Sequence, residues 1–296
     1  MQIFVTGGSG FLGRRVIPLL VAGGHEVWAL ARSREAARAV AALGAIAIDG
    51  DLDRPASVDE ALRSTPADVL VSLASLGFGH APTVVAAAED AGMHRALFVS
   101  TTSIFTRLPA RSRQVRVEAE RVIQASSLAW TILRPTMIYG GLDDRNMARL
   151  LRLARRSPVV VVPGHGRALQ QPVHVEDLAA AIVTALGRPG AIGKIYDLAG
   201  PAPLTLREVI EQAYRAAGRR PRVLPVPLAP AVAALRLYER LTPRPRLRAE
   251  QLERIEEDKA FDISAARRDL GFDPRPFDTG ISEEAMLLAA AGRSRP

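Results

Sequence analysis

The sequence contains no cysteine among its 296 residues. Disulfide bonds, thiolate metal sites, cysteine nucleophiles and iron–sulfur ligation are therefore excluded. It also lacks a long apolar run, since none approaches the ~20 residues that a membrane-spanning helix needs. The strand-like opening MQIFVT begins at residue 1, so we expect no signal or transit peptide. These absences favour a cytoplasmic protein with no membrane partner.

Lysine is nearly absent, because only Lys194 and Lys259 accompany 37 arginines. A net charge of +8 would suit a nucleic-acid partner if the basic residues were concentrated on one face or tail. They are instead spread along the chain among 31 acidic residues, with no basic arm and no stacking aromatics beside them. We therefore expect no nucleic-acid partner.

Short β-rich segments alternate with segments of helical period through the first half of the chain. This alternation predicts a parallel sheet with helices on both faces, and LVSLA and ALFVS have the continuous apolar character of strands covered on both sides. The predicted strands are Ile3–Thr6, Val27–Ala31, Ala45–Asp49, Val69–Leu73, Ala96–Ser100 and Trp130–Arg134. The predicted helices are Phe11–Ala22, Arg34–Leu43, Ser57–Arg63, Thr83–Ala91 and Val115–Ser126.

The pattern loosens from about residue 136, and Val173–Leu186 and Ile195–Ala199 resemble a return to the sheet. We therefore predict two interleaved domains. Residues 1–135 with about 173–199 would form the doubly wound α/β domain, and about 136–172 with 200–296 a smaller substrate-binding or lid domain. The proline-rich, apolar stretch Val223–Leu241 is a candidate lid, with plain core packing as the alternative.

The segment TGGSGFLG directly follows the first predicted strand and opens a helix. Gly8, Gly10 and Gly13 give the spacing G-x-G-x-x-G, which permits a tight turn and close approach of the backbone to a pyrophosphate. The free N–H groups and the dipole at a helix N-terminus favour that anion, and strand before helix is the context the motif requires. We therefore predict a Rossmann-type dinucleotide site built by Thr6, Gly7, Gly10, Phe11, Leu12 and Gly13.

Arg32 directly follows the second predicted strand, at the place where enzymes that prefer NAD usually carry an acidic residue. A guanidinium there can bind a 2′-phosphate through two hydrogen bonds. We therefore predict NADPH as the cofactor, with NADH as the alternative if Arg32 is simply solvated.

Asp51 and Leu52 are candidates for contacting the adenine, although an ordinary turn aspartate fits equally well. Ala74 and Ser75, at the carboxyl end of the fourth strand, should approach the cofactor.

Further motifs follow in a characteristic order. They are GDL at Gly50–Leu52, FVSTTS at Phe98–Ser103, EAERVI at Glu118–Ile123, TILRPTMIYG at Thr131–Gly140, QPVHVEDLA at Gln171–Ala179, IYDLAGPAPLT at Ile195–Thr205 and LGFDPRPF at Leu270–Phe277. Together with TGGSGFLG they make nearly the whole chain resemble an extended or atypical short-chain dehydrogenase/reductase of the NAD-dependent epimerase/dehydratase type. Membership alone does not settle activity.

The resemblance implies a catalytic hydroxyl after the strand that contains FVS, and a Tyr-x-x-x-Lys pair on the next helix. Thr102 matches the hydroxyl position, with Thr101 and Ser103 as neighbours. Counting back from the glutamate of EAER puts Ser112 at the tyrosine position and Arg116 at the lysine position, where it would face the nicotinamide ribose. The pair that normally relays the proton is therefore absent.

Arg116 stays protonated at neutral pH, and Ser112 has no adjacent base. Thr102, Ser112 and Arg116 are therefore candidates for stabilising the substrate oxygen through hydrogen bonds. The proton would come from solvent, from Tyr139 (the first tyrosine in the chain) or from an acidic group of the substrate. A phenol beside an aromatic ketone is such a group.

Residues after the sixth predicted strand should lie near the nicotinamide. Arg134 is expected to fix the turn by hydrogen bonds to the backbone. The five histidines have no metal-ligand spacing, so we expect no metal. The residues expected to line the nicotinamide face are Pro135, Thr136 and Met137.

The missing pair leaves two classes of function open. The first is an NADPH-dependent ketoreductase acting on an activated ketone or quinone of a small, polycyclic aromatic metabolite, a type found among atypical members of the family. The second is a non-catalytic NADP(H)-binding scaffold or redox sensor, like the complex I accessory subunit that the chain also resembles. Sugar-nucleotide epimerisation or dehydration depends more strongly on a base and is less favoured. We expect a monomer or homodimer.

Overall fold

A computed structural model describes residues 1–108, 111–144, 146–242 and 249–293 of the chain. Its centre is a seven-stranded parallel sheet in the order β11-β6-β5-β4-β1-β2-β3. All strands are parallel, but β2 and β3 follow on one side of β1 and β4 lies on its other side, so the strand order reverses between β4 and β1. Open α/β sheets bind their ligands at such a switch point. The strands are β1 (Gln2–Thr6), β2 (Glu26–Ala31), β3 (Ile46–Asp49), β4 (Val69–Ser72), β5 (Arg95–Val99), β6 (Ala129–Pro135) and β11 (Lys194–Leu198).

Helices cover both faces of this sheet because its strands are apolar on both sides. Ile3 and Val5 of β1 pack into one buried cluster and Phe4 into the other, and all three side chains are fully buried. The α/β, doubly wound fold class is confirmed. The first cluster lies under α1 (Gly13–Ala22), α2 (Arg34–Ala41), α7 (Val175–Leu186) and α11 (Ser264–Leu270), and the second under α3 (Pro55–Arg63), α4 (Ala81–Asp90) and α5 (Arg111–Ala125).

The six predicted strands are confirmed to within one residue at each end. The predicted helices are also present, but α5 begins four residues earlier than its apolar pattern indicates. Its first turn contains the polar residues Arg111–Gln114, which carry no apolar periodicity. Ser112 therefore lies on the helix itself.

The remaining elements form small sheets and helices beside the large sheet. Three of the helices, α6 (Met147–Arg156), α8 (Leu206–Ala216) and α12 (Phe277–Arg293), pack around a core that includes Leu151, Val209 and Ile281. β11 and α7 lie with the large sheet, while the division of the chain into two domains stays a prediction. These elements are β7 (Ile138–Tyr139), β8 (Val159–Pro163), β9 (Leu169–Gln170), β10 (Val173–His174), β12 (Leu204–Thr205), β13 (Arg222–Val226), α6 (Met147–Arg156), α8 (Leu206–Ala216), α9 (Leu228–Leu241), α10 (Ala249–Glu253) and α12 (Phe277–Arg293).

Across the described residues, no helix combines the length and the apolar character that crossing a bilayer would require.

Candidate functional site

The glycine-rich turn between β1 and α1 lies against the end of β4. Gly7 has a φ of +73°, and a Cβ added there would lie 2.8 Å from the backbone nitrogen of Ala74. A Cβ on Gly13 would collide with the carbonyl oxygens of Gly7 and Gly8. The turn, α1 and the end of β4 therefore lie so close together that only glycine, which has no Cβ, fits at these two positions.

The start of α1 offers donors to an anion. The N–H groups of Phe11 and Leu12 have no acceptor within the described parts of the chain, whereas the N–H of Gly10 closes the turn on the carbonyl of Gly7 at 3.0 Å. Free N–H groups and the helix dipole together favour a phosphate at this place. Thr6 plays a different part, since its hydroxyl is hydrogen-bonded to that of Ser72 and joins β1 to β4.

The end of β2 is positively charged. Arg32 is exposed and forms no ion pair with any residue that the structure describes, while Ser33 caps α2 by accepting the N–H of Ala36 at 3.2 Å. After β3, a carboxylate oxygen of Asp51 accepts the N–H of Asp53 at 3.1 Å, which is the geometry of an ordinary aspartate turn. Its second oxygen remains for a ligand.

Arg116 lies on α5, against the turn that follows β4. Its guanidinium covers Gly77, where an added Cβ would be 2.9 Å from Nη2 of Arg116. One N–H donates to the carbonyl of Ser112 at 3.4 Å. Burial, followed by the positive charge of Arg254, lowers the pKa of Arg116. A half-buried guanidinium beside a second arginine favours an anionic or oxygen-rich ligand over solvent. Ser75 accepts the N–H of Gly77 and shapes this turn.

A cleft of about 660 Å³ opens at the carboxyl ends of β5 and β6. The chain after β5 contributes Thr101, Thr102 and Ser103, and the chain after β6 contributes Thr136 and Met137. These are the loops from which the sequence predicts catalytic and nicotinamide contacts. The cleft therefore lies at the edge of the sheet where a dinucleotide would present its reactive ring.

The hydroxyls in the cleft differ in what they can still donate. Thr102 is buried and donates to the carbonyl of Pro135 at 3.3 Å, and Thr136 donates to the carbonyl of Gln171 at 2.5 Å. Thr101 instead accepts the N–H of Ser103 at 3.2 Å, so its own O–H proton stays free. Among the described cleft residues, Thr101 and Ser103 therefore keep a hydroxyl proton for a substrate oxygen, whereas that of Thr102 is already donated.

Ser112, Arg116 and Tyr139 do not line this cleft. Tyr139 is fully buried, its ring lies edge-on to His174 and against Phe277, and its hydroxyl lies against Gly280. Burial is the largest of the effects that raise its pKa. The expectation that Tyr139 contacts the substrate or supplies a proton is thus corrected. Of the three catalytic residues predicted from the sequence, Thr102 lines this cleft and Ser112 and Arg116 are not among its described lining residues.

Arg134 also departs from its expected role. Its Nε donates to both carboxylate oxygens of Glu120, at 3.0 and 3.2 Å, rather than to the backbone of the turn. The carboxylate of Glu120 is almost fully buried and also accepts the hydroxyl of Ser100 at 2.6 Å. Arg134 therefore fixes α5 against the sheet.

The opposite wall of the cleft is residues 254–261, here called the cleft segment. Glu257 accepts the Thr106 hydroxyl at 2.6 Å and the Arg107 N–H at 2.8 Å, which ties the segment to the chain after β5. Asp258 accepts the N–H of Leu169 at 2.8 Å on the other side. No motif in the sequence points to this segment; its only signal is Lys259, one of two lysines.

The lid predicted at Val223–Leu241 is not found at the cleft. That stretch instead forms β13, which pairs with β8, and α9, and neither contributes a lining residue. The alternative of plain core packing is not found either, because Leu224, Leu237 and Leu241 are exposed and Val232 is the buried residue of α9.

One cluster has the geometry of metal ligands. Ligand atoms of His174, Glu176 and Glu283 lie within 4.8 Å of one another. The guanidinium of Arg275 already binds both carboxylates, Glu176 at 3.2 Å and Glu283 at 2.7 Å. His174 caps α7 by accepting the N–H of Glu176, so the cluster has a structural explanation.

Comparison with known proteins identifies the family. A family model described as NAD(P)H-binding matches residues 7–189, more than half of the chain. The chain belongs to this NAD(P)H-binding family. The 4-hydroxy-2-methyl-3-oxo-4-farnesyl-3,4-dihydroquinoline-1-oxide ketoreductase of Stigmatella aurantiaca is 32% identical over 92% of each chain. The 2-alkyl-3-oxoalkanoate reductase of Stenotrophomonas maltophilia is 30% identical over 98% of this chain and 99% of its own.

A solved structure confirms the fold. The UDP-glucose 4-epimerase of Thermus thermophilus, in complex with NAD, has a TM-score of 0.76 and is 21% identical over 98% of this chain and all of its own. At this identity the likeness shows the fold alone. With the family and the curated relatives, it confirms the resemblance to the atypical short-chain type. The protein is an NAD(P)H-dependent oxidoreductase, and its glycine-rich turn has the free donors that such a cofactor requires.

Proposed function

We propose that this oxidoreductase uses NADPH to reduce an activated ketone or quinone carbonyl of a small, polycyclic aromatic metabolite. The observation that carries the proposal is the pair of Phe105 and Phe261 in the cleft, whose ring centroids lie 5.7 Å apart. Flat ring systems pack favourably against such pairs. The cleft volume falls in the range of small-molecule sites.

The charges at the end of β2 support NADPH over NADH. An exposed arginine with no ion-pair partner within the described chain is free to bind a 2′-phosphate, and Arg32 meets that condition. Ser33 orients the start of α2 beside it. A guanidinium and a phosphate form strong, charge-assisted hydrogen bonds.

The names of the two curated relatives support carbonyl reduction. Both are reductases of oxo compounds, and the one from Stigmatella aurantiaca is named for a bicyclic dihydroquinoline. This agrees with an aromatic cleft wall and with the absence of the Tyr-x-x-x-Lys pair, since epimerase and dehydratase chemistry depends more strongly on such a base.

In this proposal the bound cofactor supplies the hydride, and the chain positions and polarises the acceptor. The glycine-rich turn holds the pyrophosphate, and Arg116 faces the ribose. Thr101 donates a hydrogen bond to the substrate oxygen as negative charge develops there. The loss of one such donor in other enzymes costs roughly 3–4 kcal/mol. Solvent and an acidic group on the substrate are the proton sources that the sequence leaves open.

The test is turnover with a panel of carbonyl compounds. Quinones, polycyclic aromatic ketones with and without a neighbouring phenol, and aliphatic 3-oxo acids are each incubated with NADPH or NADH. We expect NADPH to be oxidised with the aromatic compounds, and mass spectrometry to find the alcohol from each ketone and the hydroquinone from each quinone. Turnover of the aliphatic acids alone would refute the aromatic substrate class. Tight NADPH binding with no turnover would instead favour a nucleotide-binding module.

A further inference from the structure

The cleft contains a single amine, on Lys259 of the cleft segment. The other lysine, Lys194, lies on β11 and forms an ion pair with Asp269 at 2.8 Å. None of the five histidines is among the described lining residues, and the 37 arginines carry a guanidinium that does not lose its proton in proteins. A lysine ammonium can donate a proton, so Lys259 introduces a chemistry that no arginine of the cleft provides.

The ammonium of Lys259 is held in place by backbone carbonyls. Its Nζ donates to the carbonyl of Arg254 at 2.5 Å and to that of Glu257 at 3.3 Å. The Lys259 N–H donates to the carbonyl of Leu169 at 2.7 Å, which fixes the root of the side chain. An ammonium has three N–H bonds, and these contacts leave one for a ligand in the cleft.

The charged groups around Lys259 act in opposing directions. Burial is the largest effect and lowers the pKa of Lys259, the charges of Glu257 and Asp258 raise it, and that of Arg254 lowers it. Both carboxylates are engaged elsewhere, Glu257 by Thr106 and Arg107 and Asp258 by Leu169. Arg107 and Glu256 are the other charged groups that line the cleft. Lys259 forms no ion pair with them or with any other described residue.

We propose that Lys259 is the proton donor of the reduction. As the hydride forms a C–H bond at the carbonyl carbon, the C=O π electrons move to oxygen, and one Nζ–H bond of Lys259 breaks to form the O–H bond. The products are the alcohol, NAD(P)⁺ and a neutral amine, which regains its proton from solvent. The inference rests on the proposed reductase function. It supplies the acid that Thr102, Tyr139 and the missing tyrosine–lysine pair do not.

The variants Lys259→Met, Lys259→Arg and Lys259→Ala test this, with Lys194→Met as the matched control. We expect kcat/KM for the wild-type substrate to fall roughly 10²- to 10⁴-fold in all three, because that is the usual contribution of general acid catalysis. Lys194→Met should match the wild type. NADPH affinity, measured by fluorescence titration, should stay unchanged in every variant and shows that each one folds.

Two further readouts separate proton donation from simple positioning. The wild-type kcat/KM should fall as pH rises through the pKa of Lys259. This decrease at high pH should be absent from the pH profile of Lys259→Arg, which keeps its charge. Small primary amines such as methylamine should restore part of the activity of Lys259→Ala. Three outcomes would each overturn the inference while the reductase function stands. They are wild-type turnover in Lys259→Arg, a decrease at high pH that persists in Lys259→Arg, and failure of amines to restore the activity of Lys259→Ala. A wild-type protein that reduces no carbonyl would overturn the function and this inference together.

Discussion

Arg134 at the end of β6 binds Glu120 on α5 through a buried, bidentate ion pair. The same carboxylate accepts the hydroxyl of Ser100, which follows β5, so one acidic side chain joins two strand ends to a helix. That helix carries Arg116. The pair therefore determines where the guanidinium of Arg116 meets the cofactor edge of the sheet.

We expect Glu120→Leu to lower the free energy of unfolding by roughly 3 kcal/mol, the lower end for a broken buried pair, because Arg134 is partly exposed and keeps Asp197 at 4.0 Å. Glu118→Leu on the same helix is the control. Its side chain is exposed and lies 3.6 Å from Arg121, a kind of ion pair that contributes less than ~1 kcal/mol. Denaturant unfolding measures both losses, and equal losses would show that the Arg134–Glu120 pair is not a major constraint.

Glu284 and Asp144 form a second buried pair, between α12 and the start of α6. The carboxyl of Glu284 is 1% exposed and accepts the N–H of Gly140 at 3.0 Å, while Asp144 accepts the N–H of Met147 at 2.7 Å. Burial, followed by the charge of Asp144, raises the pKa of Glu284 to about 8. The second carboxyl oxygen of Glu284 is buried without a hydrogen-bond partner among the described residues, so both burial and the neighbouring charge disfavour its ionised form.

This pair predicts a pH-dependent stability. The folded pKa of Glu284 is raised above that of the unfolded chain, so its stabilising effect is complete below about pH 4.5. It declines by about 1.4 kcal/mol per pH unit up to about pH 8 and is constant above that. Glu284→Gln keeps an acceptor for Gly140 but cannot ionise.

We expect the Tm of Glu284→Gln to equal that of the wild type near pH 5 and to exceed it increasingly up to pH 8. Glu211→Gln, which alters an exposed pair with Arg207, should show no such trend. Thermal melts across this pH range measure the difference. A Glu284→Gln curve parallel to the wild-type curve would refute the raised pKa.

The proposed cofactor preference rests on Arg32. We expect Arg32→Ala to weaken NADPH binding roughly 10- to 100-fold, the value of a lost charge-assisted contact, and to leave NADH binding nearly unchanged. Arg215→Ala, an exposed arginine on α8, should change neither affinity. Fluorescence titration with both nucleotides measures the ratio. An equal loss for NADPH and NADH would reject the assignment of Arg32 to the 2′-phosphate.

Tyr139→Phe tests the revised position of the tyrosine. Its hydroxyl is buried without a hydrogen-bond partner within the described chain, so its removal should leave turnover unchanged and stability equal or about 1 kcal/mol higher. Steady-state kinetics and denaturant unfolding check both outcomes. A loss of turnover with an unchanged fold would restore Tyr139 as a proton source.

The sequence predicts the local parts of this molecule well and the long-range contacts poorly. The strands and the turn from Thr6 to Gly13 follow from periodicity and glycine spacing, which act over a few residues. The burial of Tyr139 depends on Phe277 and Gly280, more than a hundred positions later. Lys259 likewise reaches the cleft only because its segment binds Thr106 and Leu169. No local sequence pattern predicts contacts between residues so far apart in the chain.

Alanine variants of two glycines can separate the effect of a steric clash from the effect of backbone strain on stability. Gly7 and Gly24 have nearly equal φ values of +73° and +75°, but a Cβ on Gly24 meets nothing within 4 Å, whereas one on Gly7 strikes Ala74. Both alanine variants should lose ~1–2 kcal/mol from left-handed strain. Gly7→Ala should lose more, and should also weaken NADPH binding, because the turn must move away from β4. If calorimetry finds the same NADPH affinity in both variants, the cofactor does not depend on this close approach.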